Sequence, residues 1–118
     1  MHGLGVDVIE IERIERAVER YGERFLNRVF TGGEITYCRE RRRKGSSLAV
    51  RFAAKEAFAK AVEVGVDPTW REVEVVMGAG GKPSLRLAPR LRAAIGACRV
   101  RVSLSHSDTV AVATVLID

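Results

Sequence analysis

The sequence predicts an α+β fold in a single domain, residues 1–118, with helices packed on a small antiparallel sheet. Three observations lead there. Apolar residues recur at intervals of three and four through most of residues 9–64, while strand-like runs dominate residues 73–117. Helical and strand patterns are thus segregated, not alternating as a series of βαβ units requires. Finally, 118 residues at 47% apolar and 30% charged content are enough for one modest core without disulfides.

The elements follow in order. Residues 2–8 alternate, with Leu4, Val6 and Val8 on one face and Gly3, Gly5 and Asp7 on the other, a short strand whose glycines let its backbone approach a neighbour. From residue 9 to 30, Ile11, Ile14, Val18, Tyr21, Phe25 and Val29 form one stripe of an amphipathic helix, with a break expected near Gly22. Thr31 with Glu34 three positions on has the spacing of a capping box and opens a short helix through Cys38 and Arg42. Gly45, Ser46 and Ser47 read as a loop. Residues 48–64, rich in alanine with Phe52 and Phe58, read as a helix apolar nearly all round and central to the core, stopped by Gly65 and Asp67-Pro68. Residues 73–77 and 84–87 form a hairpin across a glycine-rich turn at 78–83, residues 89–96 a short helix, and residues 99–105 and 110–117 a second hairpin.

Charge is localised. Residues 13–44 hold ten basic and five acidic side chains, so the whole net charge of +5 lies in this stretch. Such an excess points to a localised acidic partner, a nucleic acid or an acidic protein surface. Interleaved exposed aromatics and the known nucleic-acid-binding patterns are missing from it. Arg13, Arg16, Arg20, Arg24 and Arg28 share one helical spacing, which on its own describes either a solvated face, with Glu12 and Arg16 paired, or a docking face. The late apolar run at 110–117 is too short to cross a bilayer and the N-terminus carries acids, so a cytoplasmic protein is expected. Cys38 and Cys98 stand too far apart for a CxxC pair and are read as reduced thiols.

Two phosphate motifs fail. Val8 stands where a dinucleotide fingerprint needs its third glycine, and Pro83 stands where a Walker loop needs serine or threonine. One constellation survives. Glu56 and Lys60 lie four apart on the most apolar helix, in line with Phe52, and so share a face. They are either a structural ion pair or, together with Asp7, a phosphate site in which the two acids hold a hard cation such as magnesium. His106 and Lys82, taken singly, are ordinary turn residues.

Together these segments resemble the bacterial holo-[acyl-carrier-protein] synthases, the small trimeric class of 4′-phosphopantetheinyl transferases. The resemblance rests on Gly3 to Ile11 with Arg13, on Arg24-Phe25, Phe30-Thr31 and Glu34, and on Arg51-Phe52-Ala53-Ala54-Lys55-Glu56-Ala57 with Lys60-Ala61. Trp70, Gly81-Lys82-Pro83 and the run Ser103 to Ser107 extend it nearly end to end. It implies transfer of the phosphopantetheine arm of coenzyme A to a serine of apo acyl carrier protein, with release of adenosine 3′,5′-bisphosphate. It further implies Asp7 and Glu56 as ligands of Mg2+ and Lys60 as the group that stabilises phosphate charge; a base must also take the serine proton, for which Asp7, through a metal-bound water, is favoured and the similarly placed Glu56 is the alternative. Coenzyme A contacts would come from Lys60, Gly81, Lys82, Pro83, Ser105 and His106. Arg13, Arg20 and Arg24 would receive the carrier's acidic helix, and the sites would lie at subunit interfaces of a homotrimer. The chain departs from the family pattern at Glu63, usually glycine, and at Val110, usually aromatic. Neither a membrane nor a nucleic acid is then an expected partner; a basic nucleic-acid-binding module is the alternative reading.

Overall fold

The structure is a computed structural model describing residues 2–118. Strand β1 (Gly3–Glu10) leads into α1 (Ile11–Tyr21), α2 (Glu23–Val29), α3 (Gly32–Arg39) and the long α4 (Lys44–Ala61). The hairpin β2 (Val73–Met77) and β3 (Pro83–Leu87), the short α5 (Pro89–Ile95) and the hairpin β4 (Val100–His106) and β5 (Val110–Ile117) complete the chain. Two antiparallel sheets result, one ordered β1-β5-β4 and one made of β2 and β3. The α+β expectation holds, and both hairpins form where they were expected.

Helix α4 is the centre of the core. Ala49, Ala53, Ala54, Ala57 and Phe58 are fully buried, in one apolar cluster with Ala111, Ala113, Val115 and Ile117 of β5. Its small residues serve a specific contact with β1. A Cβ at Gly3 would lie 1.8 Å from the Ala61 carbonyl oxygen, and one at Gly5 would lie 1.9 Å from that of Ala57. Strand and helix therefore meet backbone to backbone, as the glycine alternation implied.

That contact decides which face of β1 is inside. Gly5 and Ile9 are buried with Asp7 half-buried between them, whereas Leu4, Val6 and Val8 are 66%, 53% and 61% exposed. The more apolar face is thus the outer one. It continues across the sheet through the pairs Leu4 with Leu116 and Val8 with Val112.

Several boundaries differ from the sequence reading. The 9–30 stretch divides at Gly22 as expected, its φ of 57° closing α1 and opening α2, but the first helix starts at Ile11 and not at residue 9. The first strand extends to Glu10, because it stays paired with β5 as far as Val110. The Thr31 and Glu34 capping box is present, but α3 ends at Arg39, short of Arg42. Gly45, Ser46 and Ser47 form no loop; they are the first turn of α4. Tertiary partners outweigh their turn propensity: Ser47 contacts Cys38 and Arg51, and the Glu15 carboxylate lies against Gly45. At the other end α4 stops at Ala61, where Val62 turns extended, before the expected Val64.

The β1–α4 contact yields a stability test. Gly5→Ala should lower the unfolding free energy by about 1–3 kcal/mol or more, since the obstructing atom is backbone. Gly32→Ala, with open space around it, should stay within about 0.5 kcal/mol of wild type. Urea unfolding of the two variants provides the comparison.

Candidate active site

Asp7 follows Gly3 and Gly5 on the inward face of β1, so the close approach that seats the glycines carries its carboxylate to α4. There the Lys60 ammonium donates to Asp7 Oδ1 at 3.1 Å and to the Val6 carbonyl oxygen at 3.0 Å. Glu56 lies one helical turn before Lys60, close enough for its charge to be felt by both. Burial raises its carboxyl above the ordinary glutamate value, the Asp7 charge adds to the rise, and Lys60 opposes it. Asp7, Glu56 and Lys60 are therefore brought together as the sequence pattern implied. The Asp7 side chain is 15% exposed and that of Lys60 55% exposed, so the cluster is open to a ligand.

Two acids close enough to interact beside an open face fit a small hard cation, which would relieve the part of the Glu56 rise that the Asp7 charge adds to burial. Among the described residues no group of three or more His, Cys, Asp and Glu side chains could form a complete protein cage. That donor set matches an ion whose remaining positions are filled by waters and phosphates.

Behind this open cluster lies a sealed one. Lys55 and Glu34 pair at 2.7 Å with side-chain exposures of 2% and 0%. The ammonium also donates to the carbonyls of Trp70, at 2.9 Å, and Val73. Burial pulls Lys55 below the ordinary lysine value, with Glu34 opposing the shift. The sequence reading assigned this pair nothing; the signal was a lysine amid alanines with an acid at a capping position.

The remaining expected residues lie elsewhere in the chain. Lys82 and Pro83 border a cleft of about 910 Å³ shared with Arg92, Arg99 and Arg101, while Gly81 is exposed in the adjoining turn. Ser105 and His106 border a separate cleft of about 430 Å³ with Tyr37, Arg41, Arg43 and Arg51. The sequence reading assigned no role to Tyr37 or Arg51. The guanidinium carbons of Arg41 and Arg51 stand 4.3 and 4.5 Å from the centre of the Tyr37 ring. Arg51 Nε is buried without a hydrogen-bond partner among the described residues. Within one chain neither cleft is lined by Asp7, Glu56 or Lys60.

Arg13, Arg20 and Arg24 are exposed on α1 and α2, and no salt bridge engages them among the described residues. Arg16, by contrast, pairs with Glu12 at 2.7 Å. At the Gly22 bend, Tyr21, Arg24, Phe25 and Arg28 enclose a hollow of about 520 Å³.

A small α+β domain with two carboxylates and a lysine at the open end of a strand–helix contact is compatible with phosphate-ester chemistry. Comparison with known proteins makes the class specific. A family model described as "4'-phosphopantetheinyl transferase superfamily" matches residues 3–115. A holo-[acyl-carrier-protein] synthase of Protochlamydia amoebophila is 44% identical over 106 residues, covering 88% of this chain and 87% of that protein. The crystal structure of the Neisseria meningitidis holo-[acyl-carrier-protein] synthase superposes with a TM-score of 0.89 at 33% identity, covering 98% and 97% of the two chains. That of the Helicobacter pylori enzyme, in complex with coenzyme A, gives 0.86 at 30% identity over 98% and 99%. The chain belongs to the holo-[acyl-carrier-protein] synthase family of phosphopantetheinyl transferases.

The raised Glu56 carboxyl has a measurable sign. Below the ordinary value of 4.5 the group is protonated in both folded and unfolded states and costs nothing. Stability is lost as pH rises through the higher folded value, because only the unfolded chain ionises freely. In metal-free protein, Glu56→Gln should raise the melting temperature at about pH 7, and the gain should vanish below about pH 4. Thermal melts of both proteins across that range read the difference.

Proposed function

We propose that this enzyme transfers 4′-phosphopantetheine from coenzyme A to a serine hydroxyl of apo acyl carrier protein and releases adenosine 3′,5′-bisphosphate. The observation that carries the reading is the Asp7, Glu56 and Lys60 cluster at the β1–α4 contact, in a chain of this family. The serine oxygen bonds to the phosphorus that bears the pantetheine arm, and the bond from that phosphorus to the nucleotide bisphosphate breaks. Charge grows on the departing oxygens. Lys60, with more than half its side chain in solvent, turns its ammonium from Asp7 toward them. The serine proton passes to a carboxylate, Asp7 as the first choice and Glu56 as the second. Magnesium, held by Asp7 and Glu56, would neutralise diphosphate charge.

The nucleotide end of coenzyme A is assigned to the cleft bordered by Ser105 and His106 and to that bordered by Lys82 and Pro83, with Gly81 in the adjoining turn. Tyr37, Arg51 and the unpartnered Arg51 Nε make the first of these suited to an anion. Since those clefts and the acid cluster are separate within one chain, a complete site needs a second copy. The outer sheet face supports this: Leu4, Val6, Val8 and Leu116 form an exposed apolar patch of the kind that subunit contacts cover. A homotrimer, the arrangement implied by the family resemblance, would cover it. Arg13, Arg20 and Arg24 would receive the acidic carrier beside the apolar hollow at Gly22. No helix among the described residues is long and apolar enough to cross a membrane; a cytoplasmic location is proposed with the transferase reading.

Incubation with apo carrier, coenzyme A and magnesium should add a phosphopantetheine-sized mass to the carrier, and a chelator should prevent it. Salt-sensitive nucleic-acid binding with no mass gain across several folded apo carriers would overturn the assignment. Asp7→Ala and Glu56→Ala should each cut the transfer rate by at least about a hundredfold while leaving folded oligomers. Co-refolding Asp7→Ala chains with His106→Ala chains should restore activity that neither shows alone, because mixed oligomers contain intact composite sites. No restoration would place the whole site within one chain.

A further inference from the structure

The sealed Lys55–Glu34 pair is a polar cluster that the reaction scheme does not use. Burying two charges carries a desolvation cost that apolar residues of similar volume avoid, so stability alone does not account for it. Its geometry is saturated. The three ammonium protons of Lys55 meet Glu34 Oε1 and the carbonyls of Trp70 and Val73. The two Glu34 oxygens accept in addition from the amides of Thr31, at 3.0 Å, and Val75, at 2.8 Å. Trp70 belongs to the turn that runs from the end of α4 into β2, and Val73 is the first residue of β2. That turn is fastened on its other side by Arg90, which donates to the carbonyls of Val66 and Asp67 and to both oxygens of Glu72.

What the fastening shapes is beside the acid cluster. A notch of about 60 Å³ is lined by Lys55, Glu56, Ala59, Pro68, Thr69 and Trp70. Trp70 stacks on Phe52 with ring centres 4.8 Å apart and planes 28° from parallel. Phe52 precedes Glu56 by one helical turn, so the aromatic pair and the carboxylate share a wall.

We propose that Lys55 and Glu34 are positioning residues for the transfer: they clamp residues 68–73 onto α4 and so hold Trp70 and the notch beside Glu56 in the shape that receives the reacting end of coenzyme A. The inference rests on the phosphopantetheinyl transfer reading. It makes a demand that a purely structural pair does not. Loss of the clamp must lower turnover in molecules that remain folded, while coenzyme A binding through the distant nucleotide clefts persists.

The test uses the full chain with Lys55→Met and, to avoid leaving one buried charge unpaired, Glu34→Gln/Lys55→Met. Trp70 is the single tryptophan, so its fluorescence reports on the clamped turn directly. In folded variants we expect kcat to fall by about tenfold to a hundredfold, with KM for coenzyme A within about threefold of wild type, and Trp70 emission to shift to the red. Wild-type kcat in either folded variant, or a loss confined to KM, would overturn the proposal. So would failure of both variants to fold, which would assign the pair to the core alone. Absence of transfer by the wild-type chain would instead defeat the functional reading, and the Trp70 shift would then test the clamp by itself.

Discussion

The backbone contact between β1 and α4 is the constraint on which the rest of the molecule depends. Gly3 and Gly5 allow it from the strand, and the small residues of α4 allow it from the helix, where Ala53 and Ala57 are fully buried and Ala61 nearly so. Because side chains alternate along a strand, seating two glycines against the helix also determines where the next inward residue goes. That residue is Asp7. The same alternation turns Leu4, Val6 and Val8 outward, so a single contact both assembles the acid cluster and leaves an apolar sheet face to be covered.

Two lysine–carboxylate pairs, five residues apart on α4, show how burial divides labour between chemically similar groups. Lys55 and Glu34 are shut away from water and bound to backbone on every side, so they can only hold what surrounds them. Lys60 and Asp7 meet at 3.1 Å in partial contact with solvent. An ion pair of that kind is worth about 0–1 kcal/mol and separates cheaply, which leaves both groups available to a phosphate and a cation. Glu56 sits between these regimes, buried enough to resist ionisation and near enough to Asp7 to resist it further.

The basic excess of the first third is divided in space. Arg13, Arg20 and Arg24 project from α1 and α2, while Arg41 and Arg43 border the cleft that holds Tyr37, Arg51 and His106. On the proposed reading, one stretch of sequence would serve two anionic ligands, an acidic protein helix on one surface and a nucleotide phosphate on another. If those clefts and the acid cluster belong to one site, as proposed, association of copies would be part of the catalytic design, with the exposed sheet face as the means.

Much of this was legible in the sequence, because it depends on periodicity and residue size. The glycine alternation announced a close-packed strand, the alanine-rich run a central helix, and the capping box at Thr31 the start of α3. Glu56 and Lys60 at i,i+4 announced a shared polar face, Asp7 on its strand was a candidate to join them, and the family resemblance favoured that alternative. What tertiary structure decided lies where long-range partners override local preference. Gly45, Ser46 and Ser47 have loop propensity, yet Cys38, Arg51 and Glu15 draw them into α4. The apolar face of β1 would go inward by hydrophobicity alone, but only the glycine face fits against the helix. Lys55 acquires its role from carbonyls fifteen and eighteen residues away. Sequence spacing reports which residues share a face of one element; which element that face meets, and whether water remains between them, is set by the packing of the whole chain.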